Sequence, residues 1–148
     1  MANELRLFRG RRLKTFLAFA DRILPPEGDQ PGAGTMETAR LVDHCIFQMR
    51  PEIPRLLRVF LIVFEWFGIV FGLRGFSNLS PARQERQMRW FENNPIPKLR
   101  LGFFGLKTFV WYGYYNRTAS WAAIGYSGPR VDRPFPDATL RDLEGPLP

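Results

Sequence analysis

The sequence predicts an all-α fold: a compact bundle of about five to six helices with an extended Pro-rich C-terminal arm. Three observations lead there. Apolar residues recur at helical spacing along most of the chain, strand-like alternation persists nowhere, and prolines punctuate the gaps between periodic segments. With 148 residues and 45% apolar content, the chain is long enough to bury a core as one domain and too apolar for wholesale disorder.

Leu13, Phe16, Leu17, Ala20, Ile23 and Leu24 follow the i, i+3, i+4, i+7 pattern of a first amphipathic helix. Pro25 and Pro26 stop it, because proline supplies no N–H and disfavours a helical residue before it. "PPEGDQPGAG" is then a loop. Thr35 is placed to cap a second helix over residues 36–49, with Leu41, Val42, Cys45, Ile46 and Met49 on its apolar side. Pro51 and Pro54 mark the next break.

Residues 56–73, "LLRVFLIVFEWFGIVFGL", are apolar on nearly every side. At 1.5 Å per residue the segment spans roughly 27 Å, short of a ~30 Å hydrocarbon layer. Glu65 at its middle and Arg58 near its start would be costly inside a bilayer. The reading is a helix buried in a complex, or one dipping a single face into a membrane. Phe60, Phe64, Phe67 and Phe71 form a stripe at i, i+4, i+7, i+11. That stripe is either core or a membrane or partner contact.

Ser80 followed by Pro81 is a start signal for a polar fourth helix bearing Arg83, Arg86 and Arg89 and ending before Pro95. A fifth helix is expected over residues 97–115, with Gly102, Gly105 and Gly113 as small contact points. A short sixth should cover 119–124 and stop at Gly125. This divides the chain into a helical domain, 1–128, and an arm, 129–148, whose "RVDRPFPDATLRDLEGPLP" is too rich in proline and charge to build a core.

The formal net charge is +7 and arginine outnumbers lysine, which suits an anionic partner without choosing among nucleic acid, phospholipid and acidic protein. The Arg83, Arg86, Arg89 ridge lacks any accompanying zinc-finger, RRM or basic-zipper signature, so a solvated face or a contact for an acidic partner surface is expected and no nucleic-acid partner. One His and one Cys do not make a structural zinc site or a disulfide framework. "GAGTME" lacks a preceding strand and a third glycine, so it is a loop-to-helix junction rather than a dinucleotide fingerprint. His44 and Cys45 are adjacent on a helix and do not face each other; a packing histidine and a buried thiol are expected. Ser77, Ser80, Ser120 and Ser127 would all depend on that single histidine for a base. No catalytic, cofactor-binding or metal-binding residue is assigned. Near the N-terminus, Asp21 and Arg22 interrupt the apolar run that a secretory segment requires. A cytoplasmic location is expected, with peripheral attachment to the inner membrane allowed for.

Three stretches in order resemble the small-subunit family known as gluconate 2-dehydrogenase subunit 3. "FLAFADRILPPEGDQPGAG" is similar to that family's opening helix, turn and Gly/Pro loop. "FSNLSPARQERQMRWFENNP" is similar to the element heading its next helix. "LKTFVWYGYYNRTASWAAIGYSGP" is similar to its closing aromatic signature. The resemblance spans residues 16–129 and implies a non-catalytic accessory subunit. Its partner would be a large FAD-containing dehydrogenase of the glucose-methanol-choline family, with a cytochrome c or other electron acceptor beside it. FAD would then belong to the partner and no cofactor to this chain. The 56–73 helix is more apolar than the ordinary family helix, which suggests a hydrophobic alcohol or sterol-like substrate. A stand-alone protein that binds anionic lipid through the Phe-rich helix and its arginines is the alternative reading.

The aromatic stretch after residue 108 supplies Trp111, Tyr112, Tyr114, Tyr115, Trp121 and Tyr126 with no Asp, Glu or His among them. Interface cores favour such residues and are depleted of acids and lysine. These six and Pro129 are therefore the expected partner interface, partly core and partly docking surface.

Overall fold

A computed structural model describes residues 5–117, 120, 121 and 125–127. The described residues form five helices, α1 (Arg11–Ile23), α2 (Met36–Phe47), α3 (Glu52–Gly72), α4 (Pro81–Glu92) and α5 (Pro97–Tyr115), with a 3-10 turn at Phe76–Asn78 between α3 and α4. The described residues contain no strand, only an isolated bridge between Glu27 and Gln30. The all-α expectation holds. The expected sixth helix is described only at Ser120 and Trp121, which are helical. The rest of that helix, Pro129 and the 129–148 arm lie outside the described residues.

The helix ends follow their sequence signals with two differences. Thr35 caps α2, its hydroxyl accepting the Thr38 N–H at 3.3 Å. Ser80 stands at the N-cap of α4 with Pro81 behind it, yet its side chain makes no capping bond; the Ser80 carbonyl accepts from Arg83 and Gln84 instead. Helix α3 starts at Glu52, four residues before the expected 56. Pro54 falls in its first turn, where helix N–H groups have no intrahelical acceptor, so proline costs little there.

Phenylalanine dominates the core. Phe64 is fully buried and meets Phe19, Phe60, Phe76 and Phe91 at ring centroid distances of 5.5, 5.6, 4.6 and 4.8 Å. Phe103 on α5 closes on Phe19 edge-on at 5.5 Å. Such tilted and edge-to-face pairs add to simple area burial. Of the two readings of the α3 Phe stripe, core holds for Phe60 and Phe64, which are both buried. Phe67 and Phe71 are half-buried against the same core, with Phe67 stacked on Trp90 at 4.5 Å. On α1 the fully buried face is Thr15, Phe16, Phe19 and Ala20, while Leu13, Leu17, Ile23 and Leu24 ring it half-buried. Thr15 and Phe19 join the expected Phe16 and Ala20 on the buried face, where the Thr15 hydroxyl meets a neighbouring carboxylate.

That carboxylate is Glu65. It is 2% exposed and accepts from the Ser77 N–H and hydroxyl at 2.9 and 2.8 Å, with the Thr15 hydroxyl at 3.0 Å. A buried charge is tolerable when its lone pairs are filled in this way. Asp43 plays a comparable part on α2, accepting the backbone N–H groups of Arg6, Leu7 and Phe8 at 2.9, 2.8 and 3.2 Å. These bonds fold the segment ahead of α1 onto α2 and seat Leu7 and Phe8 in the core, where Phe8 stacks on Phe16. His44, expected to pack, is exposed and bonds Gln48 at 2.7 Å; Cys45 is half-buried. The buried side of α2 is Thr38, Ala39, Val42, Asp43 and Ile46, and His44 is turned away from it.

Glycines set two of the closest helix contacts. A side chain at Gly102 would come within 2.4 Å of the Phe60 ring, and one at Gly113 within 2.6 Å of Val42. Gly105, expected to be a third contact point, faces open space.

Candidate docking surfaces

Helix α5 is apolar on two sides. Phe103, Leu106, Val110 and Gly113 face inward. Leu101, Phe104, Trp111, Tyr112 and Tyr115 face outward and are exposed, Leu101 to 73%. Residues 101, 104, 108, 111 and 115 step by three and four, which lines them up along one helix face. Lys107 borders this face, pairing with Glu92 at 3.0 Å while its ammonium lies 5.7 Å from the Trp111 ring and 6.0 Å from Phe104. The pairing holds a cation against the aromatic strip and keeps Trp111 tethered without covering it.

Beyond α5 the chain folds back on itself. The Ser120 hydroxyl donates to the Tyr114 or Arg117 carbonyl, and Trp121 Nε1 donates to the Tyr115 carbonyl at 2.8 Å. Tyr126 packs edge-on to Trp121 at 5.3 Å and is exposed. Tyr114 and Trp121 are half-buried, and the Arg117 guanidinium sits 5.0 Å over the Tyr114 ring. Arg117 itself is buried, donating to the Thr35 and Thr38 hydroxyls at 2.7 and 3.3 Å and pinning the end of α5 to the start of α2. All six predicted aromatics thus gather at the C-terminal half of α5 and the turn after it, four of them exposed.

A second apolar face lies on α3, and the sequence reading passed over it. Leu56, Val59, Ile62, Val63, Trp66, Ile69, Val70 and Leu73 are all exposed, Leu73 to 88% and Val70 to 71%. Five of them, 56, 59, 63, 66 and 70, alternate steps of three and four, the spacing of a coiled-coil seam, and Leu73 follows as the left-handed cap that ends the helix. That spacing was visible in the sequence, but the phenylalanines masked it by being larger and equally periodic. Beside the face, a cleft of about 270 Å³ is lined by Arg9, Arg11, Arg12, Thr15, Leu61, Ile62, Glu65 and Trp66. Arg11 lies 5.2 Å over the Trp66 ring, and Arg12 Nε donates to the Leu7 carbonyl at 2.9 Å.

Arg83, Arg86 and Arg89 are exposed along α4, interrupted by the exposed Glu85. Among the described residues no group of His, Cys, Asp or Glu could hold a metal ion, and no helix is long and apolar enough to cross a membrane. No family model, curated protein or solved structure matches the chain.

Proposed function

We propose that the chain is an accessory subunit that binds and stabilises a large FAD-dependent dehydrogenase of the glucose-methanol-choline family through the outer face of α5. The observation that carries this reading is the exposed strip Leu101, Phe104, Trp111, Tyr112 and Tyr115, on a helix whose other side is already satisfied by core packing. Monomeric surfaces rarely expose contiguous apolar patches of this kind without a partner. Trp and Tyr give large contact area with few torsions to freeze, which suits an interface centre. The ordered resemblance of three sequence stretches to the gluconate 2-dehydrogenase small subunits supplies the partner class. In this reading the partner holds the FAD, acts on a hydrophobic alcohol or sterol-like substrate and passes electrons to a cytochrome c or similar acceptor.

The test is mild affinity capture of the tagged chain from its native host. A co-eluting large protein with a flavin absorption spectrum is the expected result, and the Trp111→Ala, Tyr115→Ala pair should lose it. Equal recovery of the large protein with both residues altered would remove α5 from the interface. A chain recovered without flavin would overturn the partner class.

A further inference from the structure

We propose that the outer face of α3 is a peripheral membrane-binding surface that inserts shallowly into an anionic phospholipid bilayer. This goes beyond the accessory-subunit reading and does not depend on it, since the two use different helices. From Val59 to Leu73 the outward residues of α3 are all apolar, with no hydrogen-bonding group except the Trp66 indole. The face is the convex side of a single helix rather than a groove, and its outermost side chains, Val70 and Leu73, are the most exposed.

The charge around it has one dominant sign. Arg55 and Arg58 precede the apolar stretch on the same helix and Arg74 follows it, all exposed. Arg11 and Arg12 flank it from α1, sharing a cleft with Ile62 and Trp66. The acids of α3 itself are Glu52, at the helix start, and Glu65, whose carboxylate is buried and hydrogen-bonded to Thr15 and Ser77. Apolar side chains rimmed by arginines match the layering of a bilayer interface: acyl chains below, lipid phosphates beside. The three-and-four spacing would also seat a partner helix; the arginine rim is what selects an anionic bilayer.

Flotation of the purified full chain in a density gradient tests the proposal, because aggregates sink while vesicle-bound protein rises. The chain should float with vesicles of phosphatidylcholine mixed with phosphatidylglycerol and stay down with phosphatidylcholine alone. Each arginine near an anionic surface is worth about fivefold in partitioning. The Arg11→Gln, Arg12→Gln pair should therefore weaken binding roughly 25-fold. Val59→Ser with Val70→Ser, at exposed positions that leave the core untouched, should abolish flotation while the helical circular dichroism is retained. Absence of flotation with the mixed vesicles would overturn the proposal. So would flotation unaffected by the paired serine substitutions. A self-associating chain whose dimer is lost in the serine variant, and which ignores vesicles, would assign the face to a protein partner instead.

Discussion

Replacing Asp43 with alanine should release the segment that precedes α1. The carboxylate accepts three backbone N–H groups. Arg6 is exposed, so its N–H can turn to water, but Leu7 and Phe8 are 0% and 1% exposed and theirs cannot. Burying those two side chains contributes about 1.5–3 kcal/mol each, so ~3–6 kcal/mol together. Ordering the backbone of residues 5–8 costs about 1–2 kcal/mol per residue, or ~4–8 kcal/mol. Apolar burial therefore does not hold the segment alone, and the hydrogen bonds decide the balance. Two buried bonds to a charged acceptor contribute roughly 1.5–3 kcal/mol each. Losing them should cost about 2–4 kcal/mol, with the segment undocking locally while the five-helix bundle stays folded. Urea unfolding with amide exchange measures both parts: a lower stability, a smaller dependence on urea because less surface is buried in the native state, and loss of protection at Leu7 and Phe8. Phe8→Ala placed on top of Asp43→Ala should then cost almost nothing further. Unchanged protection at residues 7 and 8 together with a stability loss under about 0.5 kcal/mol would refute the reasoning.

Two glycines on α5 should respond oppositely to alanine. Gly102→Ala drives a methyl into the buried Phe60 ring and should destabilise by about 1–3 kcal/mol, whereas Gly105→Ala meets open space and should stabilise by ~0.5–1 kcal/mol, both read by thermal or urea unfolding. Arg117→Met should cost about 2–4 kcal/mol, because the Thr35 and Thr38 hydroxyls and the Pro31 carbonyl lose their shared donor; thermal unfolding measures it. Trp111→Ala and Tyr115→Ala, at exposed positions, should leave stability within about 0.5 kcal/mol yet each weaken capture of the large partner by ~2 kcal/mol or more. A stability loss equal to the binding loss would mean the two residues act through the fold rather than the interface.

Much of the exposed aromatic strip on α5 was legible in the sequence. The aromatic residues cluster within one helix, and a helix with an inward set at Phe103, Leu106 and Val110 must present the remainder outward. The burial of Arg117 was not legible. Its donors find the hydroxyls of Thr35 and Thr38, some eighty residues earlier in the chain, and no local pattern announces that meeting. Asp43 was hidden for the same reason: an acid within an apolar helix reads as solvated until the N-terminal segment is seen to fold over it.

Helix α3 shows most plainly what each level decides. Local sequence was enough to expect a long apolar helix over residues 56–73, because continuous apolar residues at that length between proline and glycine breakers admit little else. It left open which way the helix faces. A segment apolar all round carries two stripes, one of phenylalanines and one of valine, isoleucine, leucine and tryptophan, and hydrophobicity has no preference between them. The rotation is set by contacts distant in sequence. Glu65 turns toward Thr15 and Ser77 to fill its lone pairs, and Gly68 lies against the Phe76 backbone, where any side chain would come within 2.4 Å. Gly102 of α5 opens room for the Phe60 ring. Each of these constraints turns the phenylalanines inward and leaves the aliphatic stripe to solvent, since a buried charge and a close backbone approach each tolerate only one orientation.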